Sequence, residues 1–374
     1  MKLFEYQAKE VFAASGIPVP DNRQARTAEE ASAAAAKIGF PCVLKSQLLQ
    51  GGRGKAGLIK IVQTKEEAAA VASELFSRPE GVRILLVEEA VEIETELYLS
   101  ITIDPVEARG MVIACAEGGV EIETLAKEKP GAIMRQRFDL SRGLEPFRAR
   151  CIVYDMGLTG EIAKQAIKIL LALYQVFSNY DAELAEINPL FITKDGNVVA
   201  GDAKLAIDDN ASFRQKEFQL TREYFSSDAE YEAALDGIPY LQFDGDIGLM
   251  CAGAGLTTTV YDLINYEGGS VANYLEFGGP NYRRAVRAME LCLKNPSKVI
   301  LVVTFGTIAR ADVMAEGIIE AIEKLRPDRP IVTCIRGTNE DRAVEILEKA
   351  GLKPIFDTEE AVREAVSITK GGAA

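Results

Sequence analysis

The chain has 374 residues and a net charge of −14, and it contains no histidine. Its length exceeds the usual size of a single hydrophobic core and predicts two domains, while the acidic balance argues against a nucleic-acid binder and against docking on anionic lipid. Without histidine this chain has no Ser-His-Asp triad, no histidine-based zinc site and no imidazole base, so its chemistry must use carboxylates, lysine, arginine, backbone amides, a bound metal or a partner's histidine.

The first half of the chain predicts an α+β domain. A helix opens it, because apolar residues recur on one face from Phe4 to Phe12, with Gly16 as its end, and a long apolar helix follows at roughly 158–179. Strand-like runs lie at 41–46, 57–62, 83–90, 96–104 and 109–116, before a hairpin within 184–208. Hairpins with few helices indicate an antiparallel sheet.

The second half predicts an α/β domain. Polar residues 208–240 indicate a helical surface linker, so we expect domains at 1–235 and 240–374. Strands expected at 246–251, 271–277, 298–305, 330–335 and 353–357 alternate with amphipathic helices, which is typical of a doubly wound parallel sheet. Ligands of such sheets bind at the carboxyl ends of the strands, where loops 252–256, 278–281 and 306–309 fall.

The sequence also predicts the cellular location of the protein and the role of its cysteines. The N-terminal segment mixes charge into its apolar positions, unlike a signal peptide, and no run of about 18 apolar residues predicts a membrane span. We therefore expect a cytoplasmic protein. Six scattered cysteines form no C-x-x-C pair and are interpreted as small buried hydrophobic residues.

The segment GGRGKAG, residues 51–57, is the first candidate site. Its backbone amides can approach an anion at Gly51, Gly52 and Gly54, and Arg53, Lys55 and the preceding Lys45 add positive charge. It is not a G-x-x-x-x-G-K-[ST] motif, and no helix follows it. We interpret it as a flexible cover over phosphate; the alternative is a plain glycine hairpin with solvated charges.

The hairpin within 184–208 is the second candidate. If residues 194–196 form a three-residue loop with glycine in the left-handed conformation, Asn188 faces Asp202 and Glu186 faces Lys204. Directly opposed side chains have β-carbons ~5 Å apart, so this amide oxygen and carboxylate can hold one magnesium ion. The alternative is a surface hairpin with an ordinary Glu–Lys pair.

Two further sets of residues have both a functional and an ordinary interpretation. Glu88 ends one expected strand and Glu96 begins the next, and the polar stretch between them can lie against a base and ribose; singly, each reads as a solvated charge. The turns GAGL and FGTIA precede helices whose N-termini favour anions, but tight strand-to-helix turns need glycine anyway.

Long ordered motifs give these pieces one common interpretation. The motifs include LFEYQAKEVFAASGIPVP, GGRGKAG, EGGVEIETLAKEKPG and AEINPLFITKDGNVVAGDAKLAIDDNASFRQ. Through them nearly the whole chain resembles the β subunit of succinyl-CoA synthetase (succinate–CoA ligase, ADP-forming). The resemblance implies an ATP-grasp domain followed by an α/β doubly wound parallel-sheet domain of flavodoxin/CoA-ligase type.

The resemblance also implies roles for individual residues. The phosphate-contacting positions are Lys45 and the loop Gly52, Arg53 and Gly54, and the positions that line the nucleotide are Glu88, Val91 and Glu96. Pro20 matches a position associated with adenine rather than guanine. Asn188 and Asp202 match the Mg²⁺ ligands, and Glu186 matches an acidic residue near the partner's phosphohistidine.

A partner follows from the same resemblance. Family members pass phosphate from ATP to a histidine on an α subunit, which also carries most of the CoA site, in an αβ or (αβ)₂ assembly. An acyl phosphate then forms, and CoA displaces the phosphate. This explains the missing histidine, and we expect the chain alone to be inert in the whole reaction.

The chain departs from the family where the acid binds. The family's NGAGLAM reads AGAGLTT, so Ala252 replaces a substrate-contacting asparagine, and FGGIVR reads FGTIAR, which places Thr307, Ile308 and Ala309 in another substrate-facing stretch. LDVGGGA has become LEFGGPN. The resemblance implies a ligase of the succinate–CoA type, and these changes make a different acid, malate-like or bulkier, the alternative substrate. The remaining alternatives are a related acyl-CoA ligase and a nucleotide-binding, non-catalytic scaffold subunit.

Overall fold

The computed structural model describes residues 1–49, 52–119, 122–278 and 283–371. The chain folds into two compact units, Met1–Gln219 (unit 1) and Leu220–Ala374 (unit 2). The domain boundary that we predicted between residues 235 and 240 stays a prediction.

Unit 1 contains six helices and ten strands within its described residues. The helices are α1 (Glu5–Ala14), α2 (Ala28–Ile38), α3 (Lys65–Phe76), α4 (Ile122–Glu128), α5 (Pro146–Asp155) and α6 (Gly160–Asn179). The strands are β1 (Asn22–Ala25), β2 (Cys42–Ser46), β3 (Ile59–Val62), β4 (Leu85–Glu89), β5 (Ile93–Asp104), β6 (Arg109–Cys115), β7 (Ile133–Phe138), β8 (Ala182–Thr193), β9 (Val198–Ala200) and β10 (Lys204–Ile207).

These strands form two antiparallel sheets, as the predicted α+β class requires. The smaller has the order β1-β4-β2-β3, and alanine-rich faces of α2 and α3 share its core. The larger has the order β10-β8-β5-β6-β7, with β9 beside β8. The helix α6 packs against it because apolar residues recur along one side from Ala163 to Phe177.

The hairpin of β8, β9 and β10 has the predicted register. Gly196 has φ +81°, and Thr193 N–H donates to the carbonyl of Asn197 at 2.9 Å across the loop. Further along, Glu186 pairs with Lys204. The count from the glycine tip is therefore correct on both sides of the unpaired residues 201–203.

Unit 2 has six helices and five strands in its described residues. The helices are α7 (Asp228–Leu235), α8 (Ala254–Tyr266), α9 (Ala285–Leu293), α10 (Ala311–Leu325), α11 (Glu340–Lys349) and α12 (Thr358–Thr369). The strands are β11 (Tyr240–Gln242), β12 (Ile247–Cys251), β13 (Val271–Leu275), β14 (Val299–Gly306) and β15 (Ile331–Gly337).

The sheet of unit 2 has the order β11-β13-β12-β14-β15 and is parallel except for β11. The helices α7, α9, α10 and α11 cover one face, and α8 and α12 cover the other. The predicted doubly wound α/β class is thus confirmed.

Two predicted elements of this region were wrong. Residues 353–357 make only one bridge, from Pro354 to Thr333, instead of a strand. The polar segment 208–240 is helical only at α7 and in two short 3-10 turns, because few apolar residues there can pack and stabilise a longer helix.

The cysteine prediction holds for five of six residues. Cys151 is exposed on α5, and the other five are buried; all six are free thiols. None of the helices described is both long and apolar enough to cross a membrane. The expected cytoplasmic location stays a prediction.

Candidate functional site

Charged side chains are buried together in unit 1, where α1, β2, β4 and the glycine loop meet. Three are basic and three acidic: Lys9, Lys45 and Arg53 with Glu5, Glu88 and Asp202. Four of the six are buried and the remaining two are partly exposed. Because an unpaired charge in a protein interior is costly, each must be compensated by its neighbours.

Lys45 is held at the centre of this cluster. Its Nζ lies 3.0 Å from Glu5 Oε1 and 2.6 Å from Glu88 Oε1, and it donates to the carbonyl of Gly201 at 2.7 Å. Burial lowers the pKa of Lys45, but the two carboxylates outweigh that effect and raise the pKa above its ordinary value. The end of β2 therefore carries a fixed positive charge.

Glu5 is the carboxylate that the cations share. It contacts Lys9 at 3.1 Å, Lys45 at 3.0 Å and Arg53 at 2.7 Å. Burial raises the pKa of Glu5, yet the charges of Lys45, Lys9 and Arg53 outweigh burial and hold that pKa well below its ordinary value. Glu5 is therefore ionised and binds the N-terminal helix to the glycine loop.

Glu88 is not the solvated charge that its sequence position alone suggested. It is 2% exposed, and its two oxygens contact Lys45 and Lys9. Since β4 lies beside β2, Glu88 faces inward and not toward solvent. Its predicted contact with a nucleotide stays a prediction.

The glycine loop joins two adjacent antiparallel strands, as predicted, and no helix follows it. Gly52 has φ +78°, a conformation that glycine adopts without strain, and Gly54 has open space where a side chain would stand. Gly51 lies outside the described residues. The Arg53 guanidinium contacts Glu5 at 2.7 Å and Asp202 at 3.1 Å, so the loop's charge lies over the carboxylates of the cluster.

The pairs on either side, Glu186 with Lys204 and Leu190 with Ala200, place Asn188 and Asp202 at opposite positions in the unpaired part of the hairpin. Asn188 Oδ1 accepts from the N–H of Gly119 at 3.0 Å, and Asp202 accepts from Arg53. Burial, followed by the charge of Glu5, raises the pKa of Asp202 to about 6, against the opposing charge of Arg53. Both side chains offer the oxygen donors that Mg²⁺ prefers, so the donor set fits that ion. Within the described residues, no group of three or more aspartate, glutamate or cysteine side chains is arranged to hold a metal ion by itself.

Glu186 lies two residues before Asn188 on β8. It accepts a hydrogen bond from Tyr98 at 2.8 Å, and Lys204 Nζ lies 3.7 Å away. Burial and the charge of Glu186 together raise the pKa of Tyr98, so the phenol stays a donor. The carboxylate is thus oriented from one side and partly neutralised from the other.

Glu96 and Val91 lie at the junction of β4 and β5. Val91 is half-buried in the connecting loop, and Glu96 is the fourth residue of β5 instead of its first. A β-carbon added at Gly119 would lie 1.9 Å from Glu96 Oε2. The backbone at Gly119 therefore lies against both Glu96 and Asn188.

The predicted acid-binding residues of unit 2 lie at one edge of its sheet. Ala252 follows β12, and its N–H donates to the carbonyl of Val303 in the adjacent strand β14 at 3.2 Å. Thr307, Ile308 and Ala309 follow β14 at the same carboxyl edge, and Ile308 is 97% exposed. Of the predicted loop 278–281, Gly278 abuts Ala252, and residues 279–281 lie outside the described residues.

The two helix N-termini at this edge differ in charge. The first turn of α8 carries no acidic residue, and Gly253, with φ +101°, precedes it. The first turn of α10 contains Asp312, whose pKa the adjacent Arg310 lowers to about 2. The carboxylate of Asp312 already interacts with the N-terminal dipole of α10. The N-terminus of α8 is therefore the better place for a phosphate.

Glu5, Lys9 and Tyr98 are site residues that we did not predict. All three are buried. Glu5 and Lys9 are four residues apart on α1, each next to an apolar position of its helical face, and that adjacency is the only signal for their burial in the sequence. A prediction that places every charged side chain on the surface overlooks these residues.

Comparison with known proteins shows which families this chain resembles. Residues 2–192 match the family model of the ATP-grasp domain, and residues 250–368 match that of the CoA-ligase. A subunit of an ADP-forming sulfoacetate–CoA ligase from Bilophila wadsworthia is 61% identical over the full length of both chains. The β subunit of an ADP-forming succinate–CoA ligase from Ignicoccus hospitalis is 44% identical, over 99% of this chain and 100% of that one.

A solved structure has the same fold. ATP citrate lyase from Methanothrix soehngenii superposes with a TM-score of 0.74, over 98% of this chain and 99% of that one, at 19% identity. The predicted order of folds, an ATP-grasp domain followed by a CoA-ligase domain, is confirmed.

Proposed function

The chain belongs to the β-subunit family of ADP-forming acid–CoA ligases of the succinate–CoA ligase type, and from this we propose that it activates sulfoacetate together with a histidine-bearing α subunit. The net reaction is ATP, acid and CoA to acyl-CoA, ADP and phosphate. The observation that carries the proposal is the 61% identity to a sulfoacetate–CoA ligase subunit over the whole chain.

The proposed chemistry has three transfers. A nitrogen of the partner's histidine attacks the γ-phosphorus of ATP, and the bond to the departing ADP breaks. The phosphoryl group then moves to a carboxylate oxygen of the acid, which gives an acyl phosphate. The sulfur of CoA finally attacks the acyl carbon, the carbon–oxygen bond to phosphate breaks, and acyl-CoA and phosphate leave.

Unit 1 contributes charge and position to the first transfer. Phosphoryl transfer is catalysed mainly by positioning and by neutralising charge on the phosphate oxygens. Lys45 and Arg53 supply that positive charge, and Glu5 and Glu88 hold Lys45 in place. Glu96 and Val91 are assigned to the nucleoside side, where β4 passes into β5.

Asn188 and Asp202 would hold a magnesium ion on the same nucleotide. When bound, the ion neutralises charge on the phosphate oxygens. Glu186, oriented by Tyr98, would face the incoming histidine and accept a hydrogen bond from its ring.

Unit 2 is assigned to the acid and to the travelling phosphate. The α8 N-terminus, without a carboxylate in its first turn, receives the phosphoryl group. Sulfoacetate carries a sulfonate one methylene away from its carboxylate, whereas succinate carries a second carboxylate two methylenes away. Its recognition accounts for the changes at Ala252 and at Thr307–Ala309, because a tetrahedral sulfonate needs a different cavity from a planar carboxylate.

Succinate is the second candidate, because β subunits of succinate–CoA ligases share about two-fifths of this sequence, 44% in one case. The test is a direct competition. The chain is coexpressed with its α subunit, and ADP and acyl-CoA formation are measured with sulfoacetate, succinate, malate and acetate.

We expect the highest kcat/KM with sulfoacetate. Preference for succinate would overturn the assigned acid and keep the ligase. Nucleotide binding without turnover of any acid tested would favour a scaffold subunit.

A further inference from the structure

Lys9 is a buried cation to which the proposed reaction gives no role. It is 1% exposed, and its ammonium donates to the carbonyl of Gly201 at 2.9 Å. It also contacts Glu5 at 3.1 Å and Glu88. Because no part of its side chain reaches solvent, Lys9 acts through the groups buried around it, and these three neighbours are in direct contact with it.

Lys9 and Lys45 share the same three neighbours. Lys45 also contacts Glu5, Glu88 and the carbonyl of Gly201. The two ammonium groups therefore share two carboxylates and one carbonyl as their binding partners. Without Lys9, only Lys45 and Arg53 would remain to compensate the two carboxylates. A phosphate would then have to compete with these carboxylates for Lys45.

The shared carbonyl also ties the cluster to the hairpin. Gly201 directly precedes Asp202, so the contact from Lys9 fixes the backbone from which the Asp202 side chain projects. Lys9 on α1 thus contacts Glu88 on β4, shares the acceptors of Lys45, and holds the turn that carries Asp202.

We propose that Lys9 is a positioning residue of the nucleotide site, which neutralises Glu5 and Glu88 so that the charge of Lys45 is available to phosphate. The inference rests on the proposed function, since it assumes that Lys45 binds the nucleotide. It adds a residue on α1 that does not contact the nucleotide but determines the affinity of the site for the nucleotide.

The test compares K9M with the wild type in the complex with the α subunit. Methionine keeps the approximate length of the side chain and removes its charge. Calorimetric titration with Mg-ADP measures nucleotide affinity without turnover, and kinetics give KM for ATP, acid and CoA. We expect the dissociation constant of Mg-ADP and KM for ATP to rise about tenfold, with KM for acid and CoA unchanged.

A matched control separates positioning from stability. R287M removes a cation of unit 2 that pairs with Asp236, Glu232 and Glu290, far from the nucleotide residues in sequence. It should lower the melting temperature and leave Mg-ADP affinity unchanged. K9M with lowered stability but wild-type Mg-ADP affinity would overturn the inference.

A second variant serves if K9M does not fold. E5Q/K9M removes one negative and one positive charge together, so the cluster keeps its balance. We expect Mg-ADP to bind E5Q/K9M several-fold more weakly than it binds E5Q, because Glu88 and Gly201 lose their contact with Lys9. Equal affinities of E5Q and E5Q/K9M would also contradict the inference, whereas a wild type that binds no Mg-ADP would overturn the proposed function itself.

Discussion

At the scale of single residues, burial decides what a charge can do. Lys45 and Glu5 are nearly inaccessible, and each keeps its charge because oppositely charged neighbours outweigh the effect of burial on its pKa. Removing one partner from such a group typically costs about 3–5 kcal/mol, because the other charge is left uncompensated. Exposed pairs such as Lys164 and Glu161 contribute far less.

Ala252 gives a prediction about the acid at this scale. Ala252→Asn restores an amide donor at the end of β12, and a hydrogen bond to a charged carboxylate contributes ~1.5–3 kcal/mol. We expect the ratio of kcat/KM for succinate over sulfoacetate to rise at least about tenfold.

The internal control for Ala252→Asn is KM for ATP, which should not change, because the proposed function assigns the nucleotide to unit 1. An unchanged acid ratio, with folded protein and normal ATP kinetics, would show that position 252 does not contact the acid.

Asp181 gives a prediction about pH. Arg214 and Gln215 donate to this carboxylate and lower its pKa to about 2, below the ordinary value of about 4. A lowered pKa stabilises the fold above the ordinary pKa, and the gain is lost as pH falls from about 4 to about 2. Asp181→Asn should therefore cost about 1 kcal/mol at pH 7, and the gap from wild type should close toward pH 3.

Urea unfolding of the wild type and Asp181→Asn at pH 7, 4 and 3 measures that gap. Asparagine tolerates the positive φ of residue 181, which is +50°, so the substitution reports on charge. In an Arg214→Gln background the gap should shrink at pH 7. A gap that is constant from pH 7 to pH 3 would refute the assignment.

At the scale of elements, glycine turns determine which strands meet at the site. Gly119 and Gly196 have similar positive φ values of +74° and +81°, so alanine at either costs about 1–2 kcal/mol in backbone strain. Only at Gly119 would the new β-carbon collide with Glu96. The two positions therefore form a matched pair.

Gly119→Ala should raise KM for ATP about threefold to tenfold, because it displaces Glu96 and the N–H that holds Asn188. Gly196→Ala should lose similar stability and keep the wild-type KM. Equal KM values in both variants, measured with the α subunit present, would contradict the placement of the 118–119 turn at the nucleotide.

The sequence predicted those elements whose side chains alternate or recur clearly. The strands from β2 to β6 and the register of β8 with β10 follow from such patterns, and the pairing of Glu186 with Lys204 was counted from one glycine. The strands β1 and β7 were missed, because NRQA is polar and IMRQRF carries arginines on an edge strand.

The candidate site was predictable in part for a related reason. Lys45, Glu88 and Asp202 were predicted, and the structure brings all three into one cluster. Glu5 and Lys9 were not, because their burial depends on tertiary contacts that local periodicity does not contain. Lys9 contacts β4 and the hairpin, and Glu5 contacts β2 and the glycine loop.

At the scale of the whole molecule, the absence of histidine makes the account depend on a partner. No side chain of this chain can form a phosphohistidine. In the proposed function this chain binds the nucleotide and receives phosphate at α8, but the relay needs an imidazole from the α subunit. Activity is therefore expected only from the complex.

The most direct test follows the γ-phosphate of ATP. The purified complex is incubated with magnesium and ATP labelled at that phosphate, and its subunits are separated under denaturing alkaline conditions. We predict acid-labile label on the α subunit, none on this chain, and release of the label as phosphate when sulfoacetate and CoA are added. Label on this chain, or a complex that binds ATP and never becomes labelled, would contradict the account.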